Sequence, residues 1–154
     1  MLEQGLITKL INGVPDDYEE IRFQLLEFKP NGPILAIFDD CRGSFASIEP
    51  LFTVGSHHLQ TSTIVLSQQI FEAGPHLRVM SNNSTYHVLM RSLRNGRSVS
   101  TLAHQISANP HEASFIVKAW RSATTTPFSY IILDLHTQQS DCVRIRSRIF
   151  SHEG

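Results

Sequence analysis

Four short apolar runs punctuate the chain, at residues 34–38, 63–66, 86–90 and 130–135, each closed by polar or turn-forming residues. A continuous apolar run of this length reads as a strand buried on both faces, the pattern of a parallel sheet. Pro30-Asn31-Gly32-Pro33 turns the chain into the first run, and Ser67-Gln68-Gln69 closes the second. Residues 143–150, Val-Arg-Ile-Arg-Ser-Arg-Ile-Phe, alternate with period two instead. That pattern predicts an edge strand with one wet face. The apolar stretch 6–14, ended by Pro15, predicts a further strand.

Between these runs the period changes to that of a helix. Asp16-Asp17-Tyr18-Glu19-Glu20 opens one with a capping-box-like acid pair, Asp16 with Glu19 or Asp17 with Glu20. Tyr18, Ile21, Leu25 and Phe28 then mark its buried face. Residues 42–47 read as a polar loop, and 48–58 as a short helix capped by Ser47 with Pro50 in its first turn. Gly74-Pro75 marks a loop, residues 91–97 a basic turn, and 99–106 and 112–123 two more helices. Strands alternating with helices predict an α/β fold, a mostly parallel sheet flanked by helices. With no repeat, low-complexity tract or linker, residues 1–154 read as a single domain.

Composition narrows the class. Apolar content of 41% and charged content of 18% suit a globular domain, and the net charge of −1 does not by itself imply a nucleic-acid partner. The charges are unevenly spread. Residues 1–49 hold nine acids against four bases, and residues 50–154 hold five acids against nine bases. The C-terminal part, rich in Arg, is therefore a candidate positive surface, although scatter over a solvated surface gives the same count. Cys41 and Cys142 belong to no C-x-x-C pair and are too few for a zinc site. No stretch reaches the ~20 apolar residues of a membrane span, and Met-Leu-Glu-Gln-Gly lacks the order of a signal peptide. These features predict an intracellular protein with no membrane partner and with reduced thiols.

Candidate chemistry starts where the first strand ends. Asp39 and Asp40 follow the run Ile34-Leu35-Ala36-Ile37-Phe38 directly. In open α/β sheets ligands bind at the carboxyl ends of strands. Adjacent carboxylates there offer the hard oxygen ligands that Mg²⁺ prefers and a base for a water; two solvated carboxylates at a turn would read the same. Gln68, after the second strand, could reach a phosphate or its water, since an amide both donates and accepts. Arg78, Arg91, Arg94 and Arg97 form a loose basic group suited to phosphate charge or to solvent. His57-His58 lack metal-ligand spacing and read as a polar helix end. Asp134 reads as a strand cap. Arg144, Arg146 and Arg148 share one face of the last strand, where they either touch DNA phosphate or guard an exposed edge.

Taken together, these segments resemble one family. The Asp39-Asp40 strand looks like a Walker B strand. More specific are Leu51-Phe52-Thr53-Val54-Gly55-Ser56-His57-His58 running into 63–71, then Arg78 to Tyr86 with Asn82 or Asn83, and Ala123-Thr124 followed by 130–135. The order resembles the DNA-packaging ATPases of large DNA viruses and of virus-like transposons (Polintons, or Mavericks), in the FtsK–HerA superfamily of ring-forming motors. The resemblance spans most of residues 5–150. It implies a partial RecA-like P-loop fold, ATP with Mg²⁺, a homo-oligomeric ring and translocation of double-stranded DNA into a capsid. It assigns Mg²⁺ to Asp39 through water, water activation to Asp40, phosphate sensing to Gln68, and a trans-acting arginine to Arg94, with Arg78 as its rival. Asn95 follows Arg94 where the family often has Asp.

One departure is larger. No G-x-x-x-x-G-K-[ST] occurs, so the backbone nest and Lys that hold phosphates are missing from these residues. In the family, that strand, loop and helix would precede residue 1, and without them the sheet lacks its central element. Such a chain is expected to be inactive alone. The competing readings are a non-catalytic interaction module, a domesticated remnant of a virus-like element, and an unrelated metal-dependent enzyme using Asp39 and Asp40.

Overall fold

A computed structural model describes residues 9, 11–28, 32–55, 59–68, 74–140 and 143–147, all but the side chain of Arg42. The chain folds as mixed α/β, in two compact units that divide at Gln68 and Gln69.

The first unit begins with α1, Tyr18–Leu26, whose N-cap Asp17 accepts a hydrogen bond from the Glu19 backbone N–H at 3.2 Å. Ile21 is its buried residue, with Tyr18 and Leu25 half-buried on the same face. Strand β1, Ile34–Asp39, lies parallel to β2, Thr61–Leu66, pairing Ile34 with Thr61 through to Asp39 with Leu66. A parallel pair needs a crossover connection. Here it is built from a 3₁₀ turn at Arg42–Ser44, the short helix α2 at Phe45–Ile48, and a π-helical turn at Leu51–Gly55. The polar loop expected over 42–47 is thus already helical. Ser47 caps nothing; its buried hydroxyl donates to the Pro15 and Ser44 carbonyls at 2.8 and 2.9 Å. The apolar residues Phe45, Ile48, Leu51 and Leu59 are buried around it. Gly55 permits a close approach. A Cβ there would lie 3.1 Å from both Tyr18 Oη and Leu51 Cδ2.

One face of this two-stranded sheet is not covered. Leu35 (57% exposed), Ile37, Ile64 and Leu66 project from it, with Ile37 opposite Ile64 in register. Parallel strands normally bury both faces, and among the described residues neither β1 nor β2 has a second neighbouring strand.

The second unit is built on α3 at Pro75–Asn83, β3 at Tyr86–Met90, α4 at Gly96–Ile106, α5 at Pro110–Ala123, β4 at Tyr130–Asp134 and β5 at Ile145–Arg146. Gly74 enters α3 at φ 95°, a conformation that favours glycine, and Pro75 takes the first helical position. The core joins Leu89, Ile131 and Leu133 of the sheet to Val99, Leu102 and Ala103 of α4 and to Ala113, Ile116 and Trp120 of α5. The sheet order is β3-β4-β5, antiparallel throughout.

The expectation of one mostly parallel sheet is therefore corrected. The described strands form two sheets, and only β1 and β2 pair in parallel. An apolar run marks a strand, not its direction, and here not burial on both faces either: no residue of β1 is buried, and Tyr86, Val88 and Met90 of β3 are exposed. Two helices, α4 and α5, separate β3 from β4, and an out-and-back helical hairpin returns the chain antiparallel. Of the expected strand at 6–14, residues 11–14 are not strand, and the rest of it apart from Lys9 lies outside the described residues. Of 143–150, only Ile145–Arg146 forms a strand among the described residues.

Candidate functional site

Asp39 is the last residue of β1, exposed and in register with Leu66. Gln68 follows Leu66 by two residues. The parallel register thus brings Asp39, Asp40, Ser67 and Gln68 to one end of the β1–β2 sheet, as the strand pattern predicts. Asp40 turns the chain sharply with φ 50°, a left-handed conformation that Asp tolerates better than most residues. The Cys41 thiol donates to the Asp39 carbonyl at 3.1 Å. Its pKa is raised, first by burial and then by the negative charges of Asp39 and Asp40. The corner is thus electronegative, and both carboxylates contribute to its field.

The donor set can be compared with what a metal needs. Among the described residues no three His, Cys, Asp or Glu side chains cluster to hold an ion. Two exposed carboxylates fit Mg²⁺, which keeps several waters and takes one or two carboxylates plus substrate phosphate. They do not fit zinc or a dedicated calcium cage, which need more protein ligands.

The arginines fall in the second unit. Arg78 is exposed on α3, Arg94 is exposed in the loop before α4, and Arg97 is exposed in its first turn. Arg91 leaves the end of β3, and its Nη1 donates to the Thr125 carbonyl at 2.6 Å. The triple-arginine face of the last strand is altered by the fold. Arg146 Nη2 lies 2.8 Å from Asp134 Oδ2, a carboxylate only 5% exposed. Arg144 Nη1 reaches the Asp134 and His136 carbonyls at 3.4 and 3.5 Å. Arg148 lies outside the described residues, as do His57 and His58. Asp134 is the strand cap expected, accepting the His136 N–H at 3.1 Å, but it is also a buried counter-ion. The Asp134 and Arg146 pairing was missed; the period-two pattern read Arg146 as facing water.

A cleft of about 300 Å³ opens where β3 runs into α4, lined by Arg91, Ser92, Leu93, Gly96, Trp120, Arg121 and Thr124. Arg121 had drawn no notice in the sequence, where it is one polar position on a helix. Among the described residues no helix is long and apolar enough to cross a membrane.

The chain matches no protein-family model, and comparison with curated proteins and with solved structures found no match.

Proposed function

We propose that this chain carries the Walker B half of an ATP-hydrolysing DNA motor of the packaging class, on part of a RecA-like sheet. The observation that supports the reading is the parallel register of β1 on β2, with two carboxylates at one strand end beside a glutamine at the next. Asp39 would hold Mg²⁺, and Asp40 would accept the proton of the attacking water. Gln68 contacts the terminal phosphate, and Arg94 acts on the nucleotide of a neighbouring copy in a ring. Bound Mg²⁺ supplies neutralisation of phosphate charge. The phosphate nest must come from a polypeptide that carries G-x-x-x-x-G-K-[ST]; among the described residues β1 and β2 have no further strand neighbour, and their edges and exposed apolar side chains suit such an addition. Double-stranded DNA is the proposed cargo. Alone, residues 1–154 are expected to show no measurable ATPase activity and only weak nucleotide binding, because the nest supplies most anion-binding amides.

A second reading, a non-catalytic interaction module or domesticated remnant, is favoured by the same uncovered apolar face. Mn²⁺ as a Mg²⁺ mimic separates the two. In ¹H–¹⁵N spectra it should broaden the amides of Asp39, Asp40, Cys41, Ser67 and Gln68 first, and Asp39→Asn with Asp40→Asn should abolish that. Broadening spread evenly over exposed acids would favour the second reading.

A further inference from the structure

We propose that the cleft at the start of α4 binds a small phosphate-bearing anion through Arg91 and Arg121. This site lies in the second unit and does not depend on the ATPase reading: the carboxylates and Gln68 of that reading lie in the first unit, and its Arg94, on the same loop, does not line the cleft.

The walls of the cleft are fixed by hydrogen bonds within the unit. Trp120 Nε1 donates to the Met90 carbonyl at 3.2 Å and holds α5 against the end of β3. Thr124 Oγ1 donates to the Trp120 carbonyl at 2.7 Å. Arg91 Nη1 donates to the Thr125 carbonyl at 2.6 Å, which uses one of its five N–H donors and orients the rest of the guanidinium. Arg121, in the last turn of α5, makes no hydrogen bond or ion pair among the described residues.

Among the described residues, the charge lining the cleft has one sign. Among the described residues, Arg91 and Arg121 are the charged ones that line it. Residues 73–111, which contain one wall, include no Asp or Glu at all. Gly96, the first residue of the eleven-residue helix α4, lines the same cleft, and Asn95 makes no side-chain cap there. The positive end of that helix adds to the field of the two guanidinium groups. Both arginines are exposed, so an anion can reach them from solvent and be held by the two charges together. Guanidinium groups match the planar edges of a phosphate better than any other side chain. At about 300 Å³ the space sits at the small end of ligand sites, so the ligand is a phosphate or a small phosphomonoester rather than an extended polymer.

The test is a titration of the full chain with inorganic phosphate at constant ionic strength, followed by calorimetry and by ¹H–¹⁵N spectra. Saturable binding is expected, with the largest shifts at the Gly96, Arg97 and Ser98 amides. Arg121→Gln, which removes no internal hydrogen bond, should weaken it at least tenfold, and Arg91→Gln with Arg121→Gln should abolish it. Lys118→Gln, an equal loss of charge elsewhere on α5, should leave it unchanged. Non-saturable shifts, an equal response to chloride, or equal weakening by Lys118→Gln would overturn the proposal.

Discussion

Replacing Arg146 by Met should cost more stability than replacing its partner Asp134 by Asn, although each change breaks the same 2.8 Å contact. The asymmetry follows from exposure. The Asp134 side chain is 5% exposed and the Arg146 side chain 36%. Without Arg146, the Asp134 carboxylate stays buried with the His136 N–H as its remaining side-chain hydrogen bond. Removing one partner of a buried pair costs about 3–5 kcal/mol, because a charge is left uncompensated. Arg146 Nε is itself buried without a partner, so its removal relieves one unsatisfied donor and sets the figure near the lower end, about 3 kcal/mol. Without the Asp134 charge, Arg146 can turn to water. The loss is then one charge-assisted hydrogen bond, about 1.5–3 kcal/mol when buried and about 1–2 kcal/mol after screening. For a chain of this size 1 kcal/mol shifts Tm by roughly 2–4 °C. Urea denaturation read by fluorescence of the buried Trp120, the sole tryptophan, reports on this same unit. Asp134→Asn costing as much as Arg146→Met, or both falling within about 0.5 kcal/mol of wild type, would refute the reasoning.

Two further outcomes follow from groups whose protonation the fold perturbs. Burial lowers the His87 pKa, against a smaller opposing effect of a hydrogen bond with the Ser81 backbone. The unfolded chain therefore binds the proton more tightly, and His87 should cost stability as pH falls below about 6.5; His87→Phe should flatten that part of the urea-midpoint profile, and an unchanged slope would contradict the burial. The Cys41 thiol should alkylate with a midpoint above that of a free cysteine. Asp39→Asn with Asp40→Asn should bring the midpoint only part of the way back, because burial is the larger cause; mass spectrometry of the Cys41 peptide separates it from Cys142.

Much of this architecture was legible where local pattern and burial agree. The runs at 34–38 and 86–90 are strands, as is 130–134 of the run at 130–135, and the Asp17 cap starts α1 where the acid pair placed it. The common end shared by Asp39 and Gln68 was legible too, since two apolar runs joined by a helical crossover pair in parallel. What local pattern could not carry was pairing over distance. Arg146 reads as a wet-face residue until Asp134, twelve positions away, is seen as its partner. Arg121 is exposed, as a polar helix position suggests, and only the setting of α5 against the β3–α4 loop shows that it lines a cleft. The helical turns at Arg42–Ser44 and Phe45–Ile48 were hidden by small and polar residues, which favour loops until the buried Ser47 hydroxyl finds the Pro15 carbonyl.

The central claim is that Asp39 and Asp40 serve ATP hydrolysis in a DNA motor. Its most direct test is ATP hydrolysis, with and without duplex DNA, by residues 1–154 together with the polypeptide that carries G-x-x-x-x-G-K-[ST]. The account predicts Mg²⁺-dependent hydrolysis stimulated by DNA, and a fall of about 10²–10⁴-fold in Asp40→Asn, the range for losing a general base. A combination of the two that hydrolyses no ATP, or hydrolyses it equally well with Asp40→Asn, would contradict it.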